Sequence, residues 1–319
     1  MKISIITCTY NRIEKLKKNI QSVKNQNFKN YEHFILDDGS NDETQNYISK
    51  IKDKKIKYIR FKENLGQPTV IYNSDVFNKI TGDYITFLDS DDYFFDGAFD
   101  VFFEYYSIYG NSVWNYAFDF SDQKNNFHKL NYKEKNPKIV KVNSDDCFKD
   151  NHPRNRQKKG YRDFLNFRNK LFYQEIKKYF TSPDLWYSSL YEVGLNTKFV
   201  ELYIYKKIYY MSFDSDSVTR GFNIQKYKKH TLVSREVIFK KYNSKMDKNF
   251  YLYSLKSLVM NYLVNKNSKK KVLSIIYDNI SILKKNIFFL TQVFILLFFP
   301  SEFLIFLKSK IKLLKNKRY

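Results

Sequence analysis

Three carboxylates stand within four positions at Asp89-Ser90-Asp91-Asp92, directly after the apolar run Tyr84-Ile85-Thr86-Phe87-Leu88. A buried strand calls for the apolar run, but no packing requirement explains the acids that end it. Carboxylates clustered at the carboxyl end of a strand suit a hard divalent cation, which commonly keeps positions open for the phosphate oxygens of a substrate. The competing reading is a solvated acidic turn that caps the next helix. Three more polar clusters bear on the choice: Thr9-Tyr10-Asn11-Arg12, Asp37-Asp38-Gly39-Ser40 and Asn64-Leu65-Gly66.

Each cluster follows a strand-like run. Lys2 to Cys8 is short and apolar, and residues 13–25 then place Ile13, Leu16, Ile20 and Val23 at helical spacing, with lysines on the other face. Tyr31 to Leu36 reads as a second strand, with Asn41 or Asp42 able to cap a helix over 43–52. Lys57 to Phe61 reads as a third, followed by a helix near 69–80. Four strands alternating with three helices predict a largely parallel sheet covered on both faces, and such sheets bind ligands beyond the carboxyl ends of their strands. All four polar clusters fall at those ends, whereas chance would scatter them over both edges. The convergence favours one site over a solvated turn.

After Asp92 the alternation is lost. Residues 96–108 read as helix, 111–120 as strand, 121–136 as a polar hairpin or loop, and 161–179 as an amphipathic helix. The basic run His152-Pro153-Arg154-Asn155-Arg156-Gln157-Lys158-Lys159 is suited to phosphates or is a solvated loop. In Phe180-Thr181-Ser182-Pro183-Asp184-Leu185-Trp186, Thr181 or Ser182 can cap a helix with Pro183 at its first position. A strand over Lys198 to Met211 and a helical pattern from 224 to 285 complete this part.

Composition narrows the class. Aromatics make up 19% of the 319 residues, against 8 Gly and 5 Pro, so a packed core is expected and disorder is not. Cys8 and Cys147 lie far apart, form no metal-ligand spacing and fit a reducing compartment. The opening Met1 to Ile6 leaves no room for a secretory leader, so a cytoplasmic protein is expected. The net charge of +23 is uneven: residues 1–120 hold 15 Lys/Arg and 17 Asp/Glu, a net of −2, while residues 121–319 hold 41 and 16, a net of +25. That positive half is suited to phosphorylated acceptors or lipid headgroups.

Ile287 to Phe299 is apolar except for Thr291 and Gln292; Pro300-Ser301-Glu302 interrupts it and Phe303 to Leu307 resumes. The uninterrupted part falls short of the roughly 20 residues that span a bilayer. Lysines on both sides hold both ends on one face of a membrane. A re-entrant or interfacial element over 286–307 is expected, with the basic tail on anionic headgroups; the alternative is a helix buried against its own domain or a dimer partner.

The four strand-end motifs, together with Asp42, Thr44 and the Gly82-Asp83-Tyr84-Ile85 entry to the acidic turn, resemble the family 2 glycosyltransferases of GT-A fold over about the first 100 residues. The resemblance implies an α/β, Rossmann-like, mostly parallel sheet with a helical, membrane-associating carboxyl-terminal extension. Its domains would be a glycosyltransferase domain over 1–220, with a nucleotide-sugar and metal half (1–120) and an acceptor half (121–220), and a basic helical extension over 221–319. It also implies a nucleotide-sugar donor, a Mg²⁺ or Mn²⁺ ion, and transfer with inversion to a lipid-linked, lipopolysaccharide or capsule-type glycan, at the cytoplasmic face of the plasma membrane. Asp91 and Asp92 would hold the metal, with Asp89 near the ribose or a metal-bound water. Asp38 would accept from the base, with Tyr10 and the backbone around Cys8 and Thr9 closing its pocket, and Asn11, Asn64 and Gly66 would complete the donor site. A general base is expected at a helix start about a hundred residues on, where Asp184 stands, with Asp163 as second choice. Pro183 occupies a position where relatives carry an acid, and helix-start placement alone would also explain Asp184. Ser217-Val218-Thr219-Arg220 offers Arg220 to the diphosphate or to Asp214 and Asp216, while Ile71-Tyr72-Asn73 lacks an arginine common in relatives.

Two other classes compete. A basic nucleic-acid-binding protein would explain the charge, but the basic residues form no binding motif and the acidic turn would repel phosphates, so nucleic acid is not expected as a partner. A chain of the same family that has lost catalysis and serves as a scaffold is opposed by the intact Asp89, Asp91 and Asp92.

Overall fold

The computed structural model describes residues 1–71, 73–121, 137–149, 152–153, 165–182, 185–212, 224–264, 269–284 and 286–298. The first half alternates as the sequence pattern predicts: β1 (Ile3–Thr9), α1 (Ile13–Lys24), β2 (Tyr31–Asp37), α2 (Thr44–Ser49), β3 (Ile56–Arg60), α3 (Gln67–Ile71), α4 (Ser74–Lys79) and β4 (Tyr84–Phe87). These four strands pair in parallel in the order β3-β2-β1-β4, with Ile3 opposite both Tyr31 and Tyr84. All of β2 and all of β1 but Cys8 are buried, as parallel strands covered on both faces require. The single helix expected over 69–80 is two, because the Asn73 side chain accepts the Asp75 N–H and caps a new start.

Beyond the acidic turn come β5 (Tyr93–Phe94), α5 (Ala98–Tyr109), β6 (Val113–Ser121), β7 (Ile139–Asn143), β8 (Leu165–Asn169), α6 (Lys170–Ile176), α7 (Trp186–Thr197) and β9 (Val200–Tyr210). The sheet continues from β4 through β8, β6 and β9 to β5, with β7 also on β9. Here parallel and antiparallel pairs mix: β8 runs antiparallel to both β4 and β6, while β6 and β9 are parallel.

β8 corrects the helix expected over 161–179. Its alternation buries Leu165 and Phe167, and Phe167 packs face to face on Phe102 with ring centroids 4.5 Å apart. A slot between two strands that each need a hydrogen-bonded neighbour overrides any local helical preference. The helix begins at Lys170, where Asn169 accepts the Leu171 N–H. Residues 122–136 and 154–164, which include the expected hairpin and most of the basic run, lie outside the described residues.

The remaining helices are α8 (Ile224–Tyr242), α9 (Lys248–Val264), α10 (Lys269–Asp278), α11 (Ile280–Leu283) and α12 (Ile287–Phe298). The described residues form two compact units, one around the sheet and one around these helices with Phe148. The helical unit has its own core of Leu255, Leu258, Val259, Tyr262, Val272, Leu283, Phe289 and Val293. Among the described residues no helix is long and apolar enough to cross a membrane.

Candidate functional site

The parallel order places the ends of β1, β2 and β4 side by side. Cys8, at the end of β1, feels this most directly: burial, then Asp38, Asp89 and Asp37, push its thiol pKa up. One side chain on the central strand thus senses the acids that follow both neighbours, so the separate sequence motifs share one place.

Asp38 is buried, and both carboxylate oxygens are engaged: the Leu65 N–H donates to one at 2.7 Å and the Gly66 N–H to the other at 2.9 Å. The Asn64 to Gly66 loop is therefore held against β2 by the acid expected to meet a ligand's base. Gly66 has φ +88° and open space where a side chain would begin, whereas a Cβ on Gly39 (φ +78°) would lie 2.7 Å from the Glu63 backbone. Asp37, which the motif reading did not single out, binds inward, accepting the Ser40 N–H at 2.8 Å and the Tyr58 hydroxyl.

The loop after β1 is tied to the loop after β2. The Asn11 N–H donates to Ser40 Oγ at 3.0 Å, the Asn41 N–H to Asn11 Oδ1 at 2.8 Å, and the Ile13 N–H to Asp42 Oδ2 at 3.1 Å. Asn11 takes a left-handed φ of 51° to do this. Thr9 is buried and its Oγ1 has no partner among the described residues, while Tyr10 beside it is exposed.

In the acidic turn each carboxylate has a different setting. Asp89 is exposed and accepts from Gln67 Nε2, at the start of α3, at 2.8 Å. Asp91 pairs with the Arg12 guanidinium at 3.2 Å. Asp92 is buried, and its Oδ1 accepts the Ser212 N–H at 2.8 Å. Burial, then Asp89 and Asp91, hold the Asp92 pKa well above the usual carboxylate range. The turn thus gathers carboxylate oxygens in a setting that suits a hard cation. Among the described residues no three His, Cys, Asp or Glu side chains already stand as a metal-ligand cluster.

What holds the turn was not anticipated. Asn19 and Ser22 on the buried side of α1, with Gln26 just beyond its end, form a polar stripe. Asn19 Nδ2 donates to the carbonyls of Asp89 and Asp92, both at 2.9 Å; Ser22 Oγ accepts the Phe94 N–H at 3.1 Å; Gln26 donates to the Phe95 carbonyl and accepts the Phe99 N–H. The stripe continues into the sheet, where the Thr7 hydroxyl lies 3.3 Å from Asn19 Oδ1 and 2.9 Å from His33 Nε2. Its signal in the sequence is the spacing of three and four beside Leu16, Ile20 and Val23, a polar row next to an apolar one.

Asp163, Asp184 and Arg220 lie outside the described residues, so the structure unites Cys8, Thr9, Asp38, Asp89, Asp91 and Asp92 without locating an acid for proton transfer. Helix α7 begins at Trp186. His152 is buried, with Nε2 4.0 Å from Glu201.

Residues 4–188 match the family model described as "Glycosyl transferase family 2". The chain is 32% identical over 119 residues to the GalNAc(5)-diNAcBac-PP-undecaprenol beta-1,3-glucosyltransferase of Campylobacter jejuni; the match covers 35% of this chain and 38% of that protein, well under two thirds of its length. Among solved structures, S. aureus TarS 1-349 in complex with UDP-GlcNAc superposes with a TM-score of 0.51 at 14% identity, covering 85% of this chain and 88% of that one. A mannosyltransferase from Pyrobaculum calidifontis, in complex with GDP-Man and Mn²⁺, does so with a TM-score of 0.53 at 9% identity, covering 92% and 83%. At these identities the two superpositions establish a shared fold.

Proposed function

The chain belongs to glycosyl transferase family 2, and we propose that it moves a sugar, with inversion and with the help of a divalent metal, from a nucleotide-diphosphate donor to a lipid-linked or polysaccharide-type acceptor at a membrane surface. The observation that carries this reading is the joining of three strand ends: the Asn11 N–H donates to Ser40 Oγ at 3.0 Å and the Arg12 guanidinium pairs with Asp91 at 3.2 Å, so the loop after β1 meets those after β2 and β4.

The donor's base would lie beside Asp38, Tyr10 and the Cys8–Thr9 backbone. Asp38 there has a double duty, since the carboxylate that meets the base also fixes the Leu65–Gly66 amides, so base recognition and loop position are linked. Its diphosphate would approach the acidic turn. Mg²⁺ or Mn²⁺ at Asp91 and Asp92, with Asp89 alongside, would offset the charge of a departing nucleotide diphosphate. Arg12 holds Asp91 in place meanwhile, and the Ser212 N–H fixes Asp92. Asp184, or Asp163 as second choice, would take the proton of the acceptor hydroxyl, and Arg220 would contact the diphosphate.

A lipid-linked acceptor agrees with the name of the Campylobacter relative and with the net of +25 in residues 121–319. On this reading the protein works as a peripheral protein of the cytoplasmic membrane face.

Purified protein mixed with a panel of nucleotide sugars and Mn²⁺ tests the proposal through nucleotide release. One donor should be bound and slowly hydrolysed, and Asp91→Ala should abolish release. If no donor is bound or hydrolysed, and Asp91→Ala changes nothing, the proposal fails.

A further inference from the structure

Helices α10 and α11 are apolar on two sides. On the inner side Val272 and Leu283 are buried in the helical core, with Ile275 and Ile276 packed against it. On the outer side Leu273, Tyr277 and Ile280 are 54%, 81% and 47% exposed. Single exposed apolar residues need no explanation. Lys269, Leu273 and Tyr277, however, are spaced by four and form a row on one side of α10, and Ile280 and Lys284 follow on α11 beyond the break at Asn279. Lys269, Lys270 and Lys284 are exposed at its ends. Lys271 points elsewhere, pairing with Glu236 at 3.1 Å; Asp278, next to Tyr277, is the acid on the same turn.

An amphipathic helix in a folded unit needs one apolar side, and the inner side already serves the core. In the neighbouring α12, Phe289 and Val293 are buried in that core while Phe294 is exposed.

We infer that the outer stripe of α10 and α11, centred on Leu273, Tyr277 and Ile280, docks on an anionic lipid bilayer. This rests on the membrane-surface reading above and adds residues 269–284 to the contact expected over 286–307. Leucine and isoleucine suit the boundary between headgroups and acyl chains, tyrosine is amphipathic, and lysines at both ends extend their ammonium groups to lipid phosphates. A second copy of the chain fits less well: a symmetric antiparallel pairing of this stripe would bring Lys269 and Lys270 against the partner's Lys284, setting like charges together.

The test is co-sedimentation of the full chain with vesicles of phosphatidylethanolamine and phosphatidylglycerol, with phosphatidylcholine vesicles as the neutral control. The wild-type protein should bind the anionic vesicles. A Leu273→Ser, Tyr277→Ser, Ile280→Ser variant should lose roughly tenfold or more of that binding, while its thermal melting and its nucleotide-sugar hydrolysis without membranes match wild type. A Lys269→Gln, Lys270→Gln, Lys284→Gln variant should lose its preference for anionic over neutral vesicles. If the triple serine variant sediments as wild type while Phe294→Ser abolishes binding, the stripe is overturned and the membrane reading stands on a different contact. Wild-type protein that binds neither vesicle overturns both. A wild-type dimer in light scattering that the serine variant dissociates makes a second copy the occupant and overturns the bilayer.

Discussion

Ser212 donates its backbone N–H to Oδ1 of Asp92 at 2.8 Å, joining the residues just after β9 to the acidic turn across 120 positions of sequence. Because burial and the neighbouring acids favour the protonated Asp92, an amide can replace it. Asp92→Asn should melt within a few degrees of wild type in metal-free buffer, its Oδ1 still accepting from Ser212. Asp92→Ala strands a buried N–H and should cost about 1–3 kcal/mol. Chemical denaturation of both variants reads the difference.

Asn19 is a positioning residue. Asn19→Leu keeps the volume but removes the donors to the Asp89 and Asp92 carbonyls, at a cost of about 1–3 kcal/mol, and frees the turn to move. Donor hydrolysis should then fall through a raised Mn²⁺ requirement, with excess Mn²⁺ restoring much of it. A role confined to stability predicts no change in that requirement once the variant is assayed well below its melting temperature.

Asp38 uses both oxygens on the Leu65 and Gly66 amides. Asp38→Asn has one acceptor oxygen and sets its NH₂ against an N–H donor, so one bond is lost and stability should fall by about 1–3 kcal/mol. Nucleotide affinity should fall as well. Calorimetric titration with UDP and GDP checks this.

His33 is fully buried beside Thr7, its Nδ1 has no partner among the described residues, and burial lowers its pKa from 6.5 to about 3. The folded state therefore binds fewer protons than the unfolded state between those values. Its contribution to stability is complete above pH 6.5 and is lost as the pH falls toward 3, at up to about 1.4 kcal/mol per pH unit. In His33→Gln this part of the acid slope should disappear, whatever the variant's absolute stability. Urea midpoints measured from pH 7 to pH 4 decide the matter.

The parallel half of the fold was legible because its signals are local. Continuous apolar runs mark β1, β2 and β4, helical spacing marks α1, and a polar cluster ends each strand. Strand order then places those ends together, since parallel strands joined by helices must share a carboxyl edge. The second half was harder to read, because β8 owes its conformation to the slot between β4 and β6, and its partners there stand 47 to 85 positions away.

By itself, then, the sequence determined that Asp38, Asp89, Asp91 and Asp92 gather at one edge of a sheet. It also determined that the positive charge falls in the other part of the chain. Only the tertiary structure decided how the acids differ: Asp92 is buried on the Ser212 amide, Asp91 is paired with Arg12, Asp89 faces solvent and Asp38 clamps a loop. It likewise decided that Phe289 and Val293 of α12 are buried while Leu273, Tyr277 and Ile280 face outward. A carboxylate's ionisation and a leucine's exposure depend on neighbours that chain order does not name, and folding supplies those neighbours.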